Sequence, residues 1–181
     1  MSVDKKIDIE LFKVVSRSIS ETDDPQLMYG HLTQLLTAAM GIKGCSLFAL
    51  NPDTDELEIL GAFGLSFDYI NKGPILSVRS ISATRKGEAI VIADIDRSDM
   101  LQYPQEARAE GIRSIVSLPV QLHVKVIGAL RLYHDQPWSP SQQDIDSLLV
   151  LGEFIGLALM YTRLRRSLET VRSAVVDIPR V

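Results

Sequence analysis

The sequence predicts an α+β fold, with an antiparallel sheet in the middle of the chain and helices at both ends. Three observations predict it. Apolar residues recur at helical spacing over residues 7–40 and again from residue 142 onward. Between them lie short segments in which apolar and polar residues alternate, the pattern of half-buried strands. The turns between adjacent segments are short, which favours antiparallel neighbours.

The elements follow in order. Ile7, Leu11, Val14 and Val15, with Phe12 and Ile19 beside them, predict a first helix ending at Ser20. Asp24-Pro25 starts a second, with proline in the first turn, and Gly41 stops it after Met40. Gly44–Leu50 and Glu56–Phe63 are expected to pair as antiparallel strands across the turn Asn51-Pro52-Asp53-Thr54-Asp55. Gly64–Gly111 is irregular. Within it, Pro74–Val78 and Glu88–Ala93 are expected as strands, and Ser80–Lys86 and Pro104–Glu110 as short helices.

The stretch IRSIVSLPVQLHVKVIGALRLY, Ile112–Tyr133, is a hairpin. Val116, Leu118, Val120 and Leu122 share one parity, as do Val126, Gly128, Leu130 and Leu132, so one face is expected in a core. Pro119 lacks an amide donor and suggests a bulge or an unpaired position. In Trp138-Ser139-Pro140-Ser141-Gln142, Ser139 is the expected N-cap, with Pro140 first in the helix and Gln142 closing a capping box.

The final helix carries two stripes. Val150, Phe154, Leu157, Tyr161, Leu164, Leu168, Val171, Val175 and Ile178 alternate in steps of four and three, a heptad seam. Leu148, Leu151, Ile155 and Leu159 form a second stripe in the first half alone. The helix is therefore expected to pack on the sheet with one face and on another helix with the heptad face. A second copy of the chain is the preferred cover, giving a homodimer through the terminal helices. The alternative is that the first helix covers the seam within one chain. This divides the chain into residues 1–24 as an N-terminal dimerisation helix, 25–163 as the main domain, and 164–181 as a coiled-coil extension.

Composition narrows the function. The chain of 181 residues, 46% hydrophobic and 23% charged, is ordinary for a globular protein. A formal net charge of −4 argues against general nucleic-acid binding. The N-terminus has no apolar signal core. The longest apolar run, Leu148–Tyr161, is short for a membrane span and contains Glu153. One cysteine, Cys45, allows no internal disulfide and suits a reducing compartment, so a cytoplasmic location is expected.

Four blocks together resemble the GAF domain family over about Pro25–Arg163: VIADI (Val91–Ile95), EGIRSIVSLPV (Glu110–Val120), VIGALRLY (Val126–Tyr133) and WSPSQQDIDSLLVLGEFIGLAL (Trp138–Leu159). The resemblance implies a central antiparallel sheet with the terminal helices on one face and a lid of loops and short helices on the other. It implies a sensory domain, a regulator of bacterial type, whose ligand sits under that lid. In place of the family's glycine in the turn before VIGAL, this chain has His123-Val124-Lys125. The Asn-Lys-Phe-Asp-Glu signature of cyclic-nucleotide binders goes no further than Asn71-Lys72. Cys45 has no histidine beside it for pigment attachment, and a lone cysteine cannot run the disulfide cycle of free methionine sulfoxide reductases.

No P-loop, G-x-G-x-x-G or placed Ser-His-Asp set is found. His31, His123 and His134 are scattered, and Asp94, Asp96 and Asp99 are explained by capping and solvation. For a ligand pocket the candidates are Asp94, Arg113 and Ser114, which flank strands, with Phe67, Tyr69 and Tyr103 as walls. Arg113 has two readings. It binds a ligand's carboxylate or phosphate, or it pairs with Asp94 or Glu110 and holds the loop. The leading function is a dimeric small-molecule sensor acting on a signalling partner protein. The alternatives are a ligand-free dimerisation scaffold and, last, an enzyme. The ligand and any cofactor are unread.

Overall fold

The computed structural model describes residues 9–76, 86–123 and 125–176, with the side chains of 76 and 174–176 left out. Helices α1 (Ile9–Ser20) and α2 (Pro25–Met40) lead into the sheet. Asp24 caps α2 by accepting the Gln26 amide at 2.8 Å, and Pro25 opens its first turn. Gly41 ends it at φ 54°, where a residue without a β-carbon turns the chain at no steric cost.

Strands β1 (Gly44–Leu50) and β2 (Glu56–Phe63) pair antiparallel. Asn51 folds the turn between them by accepting the Asp53 amide at 2.9 Å. Next come α3 (Phe67–Ile70), β3 (Ile75–Leu76), β4 (Ile90–Ile92), a single 3-10 turn at Ile95–Arg97, and α4 (Pro104–Ala109). The long hairpin β5 (Ser114–Leu122) and β6 (Lys125–His134) follows, then α5 (Gln142–Val176). The expectations for Ile7, Ser80–Arg85 and Ile178 fall outside the described residues.

All six strands form one antiparallel sheet in the order β3-β2-β1-β6-β5-β4. Helices α1, α2 and α5 take one face. Leu11, Val15, Leu32, Leu36, Leu148, Leu151 and Ile155 meet Cys45, Leu47, Val116, Leu118, Leu130 and Leu132 in a single buried cluster. Burial of each such side chain contributes roughly 1.5–3 kcal/mol. The opposite face carries a second cluster of Tyr69, Ile90, Ile92, Ile95, Ala107, Ile112, Ile115 and Tyr133 under α3, α4 and the loops.

Three details emerge beyond the sequence reading. The register slips between Val120 and Gln121, so Ile127 is an extra residue and packs on the helix-side core, ending the simple parity of β6. Leu122 pairs with Lys125, so the hairpin turn spans two residues without the family's glycine, with His123 at φ 49°. The cap of α5 is Ser141, not Ser139. Ser141 Oγ accepts the Asp144 amide at 3.2 Å and donates to the Asp144 carboxylate at 2.7 Å. Asp144 also accepts the Ser141 amide at 3.3 Å.

Helix α5 lies unusually close to β5. A β-carbon on Gly152 would stand 2.2 Å from the Pro119 carbonyl oxygen, and one on Gly156 the same distance from that of Gln121. Only glycine permits this approach. The Gly152–Gly156 pair therefore seats the helix backbone on the strand backbone. By length and composition α5 could cross a membrane, but its Leu148, Leu151, Ile155 and Leu159 face is occupied by the sheet. Its heptad face is not. Val150, Leu157, Tyr161, Leu164, Leu168 and Val171 are each more than half exposed, so α1 does not cover the seam within one chain. Phe154 is half-buried, and the Val175 side chain is outside the described residues.

Candidate functional site

The site grows from a charge in an expensive place. Between Val126 and Leu132 strand β6 is apolar except for Arg131, which points to the face opposite the helices and is only 6% exposed. Burying a guanidinium costs several kcal/mol unless its surroundings compensate. The Phe48 ring lies 5.6 Å from it, and its charge opposes the upward push that burial gives the Tyr133 hydroxyl. Tyr133 shares a 2.9 Å hydrogen bond with Ser46 of β1 and meets Tyr69 edge to face at 5.8 Å.

Across from Arg131 on β5 stands Ser117. Its hydroxyl is buried and has no hydrogen-bond partner among the described residues. Arg131 and Ser117 line a cavity of about 20 Å³ closed by Ile90, Ile92, Met100, Leu101 and Ile115.

A second cation lies nearby. Lys72, just after α3, donates to the Tyr69 carbonyl at 2.7 Å and sits 3.7 Å above the Tyr69 ring. The Tyr103 ring is 5.9 Å away. Burial, and then the like charge of Arg131, pull the Lys72 ammonium down from the ordinary 10.5 to about 8. Glu106 and Glu110 oppose this weakly. Glu110 accepts the Ser66 amide at 2.9 Å and the Ser66 hydroxyl, tying the entrance of α3 to the end of α4.

The residues named from sequence separate into four places. Tyr69 and Tyr103 join Lys72, with Tyr103 donating to the Pro74 carbonyl at 2.8 Å. Asp94 and Arg113 belong to an outer ion cluster. Arg113 lies 3.6 Å from Asp94 and 3.1 Å from Asp96, which also holds Arg108 at 2.9 Å. Asp94 caps the 3-10 turn by accepting the Asp96 amide, and lines an open groove of about 560 Å³ with Val91 and Trp138. Arg113 thus holds the loop, and its Glu110 alternative is not used. Ser114 donates to the Gln136 carbonyl at 2.8 Å. Phe67 is 79% exposed and lies apart from Tyr69 in the fold's surface. Sequence reasoning missed Arg131, Ser117 and Lys72. The available signal was an arginine inside the otherwise apolar VIGALRLY.

Cys45 faces the helices, not this site, and burial raises its thiol far above the ordinary range, which leaves it inert. Among the described residues no three histidine, cysteine or carboxylate side chains gather to hold a metal.

The family model of the GAF domain matches residues 24–159. The chain belongs to the GAF domain family. Among solved structures, the GAF domain of a phosphoenolpyruvate-protein phosphotransferase from Coxiella burnetii is 13% identical, with a TM-score of 0.76 over 88% of this chain and 96% of that one. The corresponding Acinetobacter domain is 13% identical, with a TM-score of 0.73 over 88% and 96%. The free methionine-R-sulfoxide reductase of Neisseria meningitidis is 16% identical, with a TM-score of 0.70 over 91% and 98%. Such likenesses show the GAF fold of antiparallel sheet and flanking helices. No curated protein matches this chain by sequence. As a GAF domain, the protein falls in a class that is mainly sensory and regulatory and binds small molecules.

Proposed function

We propose that this GAF domain is a regulatory module that receives a small ligand on the α3/β4 side of its sheet and reports it through α5 as a homodimer. The observation that carries this reading is the double role of β5. Its Ser117 faces the cavity, while Val116, Leu118 and Val120 lie in the helix-side core. The carbonyls of Pro119 and Gln121 touch α5 at Gly152 and Gly156. A close-packed contact of this kind does not absorb a shift, so movement of β5 displaces α5. The exposed seam from Val150 to Val171 would pass that displacement to a second copy and on to a partner protein. The buried, inert Cys45 fits the reducing cytoplasm.

A ligand-free dimerisation scaffold is the second reading, favoured by the small size of the cavity, about 20 Å³. Native mass spectrometry against the denatured mass decides between them. The sensor predicts a dimer that retains added mass or gains it from a metabolite extract. A dimer that stays bare against the extract favours the scaffold. A monomer removes the homodimer from both.

A further inference from the structure

We infer that a second copy of this chain seats on the α5 seam in the opposite direction, as an antiparallel helix pair whose two-fold axis passes between Thr162 and Arg163. This rests on the reading above that the seam closes a homodimer, and it fixes how the two copies meet.

Charge along α5 carries the inference. Residues 142–160 contain Asp144, Asp146 and Glu153 and neither lysine nor arginine, a net charge of −3. Residues 161–176 contain Arg163, Arg165, Arg166 and Arg172 against Glu169, a net charge of +3. Arg165 is held by Asp23 and Glu169. Arg163, Arg166 and Arg172 are exposed and make no ion pair with a described residue. A parallel partner lays acid on acid and base on base. An antiparallel partner lays the acidic half of each helix along the basic half of the other. Such complementarity sets direction and register at an interface and rejects the like-charged alternative.

Side-chain size points the same way. In the antiparallel pair Tyr161 meets Leu164 of the second copy, Leu157 meets Leu168 and Phe154 meets Val171, so each ring faces a smaller side chain. A parallel pair in register sets Phe154 against Phe154 and Tyr161 against Tyr161. The antiparallel arrangement also ties the seam to the sheet. The segment from Phe154 to Leu157, which receives the C-terminal half of the partner helix, brackets Gly156 and follows Gly152, the two residues seated on the β5 carbonyls. A shift of β5 then reaches the partner helix at the point of contact.

Double electron–electron resonance on the full chain, with a nitroxide on Gln142→Cys, tests this. Gln142 is exposed, and Cys45 is buried and does not take the label. Gln142 stands about 20 residues from the axis, so a rise of about 1.5 Å per residue sets the two labels about 60 Å apart in the antiparallel pair. In a parallel pair the labelled ends lie side by side, with helix axes about 10 Å apart. The expected result is the long distance, lost when Leu164→Glu and Leu168→Glu are added. A short distance in a dimer overturns the antiparallel pair and keeps the homodimer of the reading above. A monomer in sedimentation removes both, and so does a long distance that survives the two glutamates, because the contact then lies off the seam. Arg163→Glu with Arg172→Glu gives an independent sign. At low salt the pair of substitutions should weaken the dimer at least about tenfold, whereas a parallel dimer would tighten as like charges are removed. Unchanged or tighter dimerisation overturns the proposal.

Discussion

Gly156 of α5 stands so close to Gln121 of β5 that a β-carbon would come within 2.2 Å of the Gln121 carbonyl oxygen. The neighbour is backbone, so it cannot rotate away. Gly156→Ala gains about 1 kcal/mol of helix propensity but must push the helix off the strand, which typically costs about 1–3 kcal/mol. We expect no gain in stability and a measurable loss in denaturant unfolding. A variant more stable than the parent would show that the helix is not seated as described.

Ser117→Ala should behave in the opposite way. It removes a buried hydroxyl that has no described partner, so stability should stay level or rise by up to about 1 kcal/mol. A loss of more than about 1 kcal/mol in the same assay would mean that the hydroxyl is satisfied within the fold. A stabilising loss of a polar group is what a site kept for binding predicts.

Lys72 sets a pH dependence. Its folded value is about 8 and its ordinary value 10.5. Between these the unfolded chain holds more protons, so stability rises with pH across that window. Below about 8 both states are charged and the cost of burying the ammonium is present in full. The buried hydroxyls of Tyr69 and Tyr133 are pushed up, so they act in the other direction as pH passes the ordinary tyrosine value. Comparing the protein with Lys72→Met isolates the lysine, whose neighbours Arg131, Glu106 and Glu110 are unchanged. The stability difference between the two should shrink from pH 8 upward. A difference independent of pH would contradict the burial of Lys72.

The seam on α5 gives a sharp expectation for assembly. Leu164 and Leu168 are 60% and 62% exposed in the single chain. Replacing both with glutamate should leave helix content unchanged in circular dichroism and convert a dimer to a monomer in sedimentation velocity. A parent protein that already sediments as a single chain would leave the seam without the proposed cover.

The cap of α5 separates two neighbouring serines. Ser141→Ala should cost about 1 kcal/mol, because it breaks the reciprocal pair with Asp144. Ser139→Ala should cost close to nothing. Equal effects in thermal unfolding would place the helix start elsewhere.

These comparisons show what patterning carries and where it stops. Helical spacing places the terminal helices, because each buries an apolar face, alternation places β2, and β1 shows as a short apolar run buried on both faces. The bulge at Ile127 is invisible to alternation, since its cause is the way β5 and β6 pair. Ser139 and Ser141 both suit a cap. The decision lies with Asp144, whose carboxylate returns the bond more strongly than the Gln142 amide would. The residues named for a pocket separate for a related reason. Asp94 and Arg113 flank strands and attract notice, but they satisfy one another. Arg131 sits in mid-strand, where parity alone reports a face and not the cost of a charge on it. The Gly152–Gly156 pair sits inside an apolar run, although its meaning lies in the β5 carbonyls across from it.

The outer margin of the sheet at β4 is three residues long, and the Ala93 carbonyl just beyond it already accepts the Trp138 amide at 3.0 Å. So short and partly occupied a border offers little template for a foreign strand to extend. Self-association by strand addition is discouraged there. The exposed apolar ridge on α5 is of another kind, and a matching ridge seated on it, as proposed, would close it off. Growth would then end with a finite particle in place of an open-ended fibre.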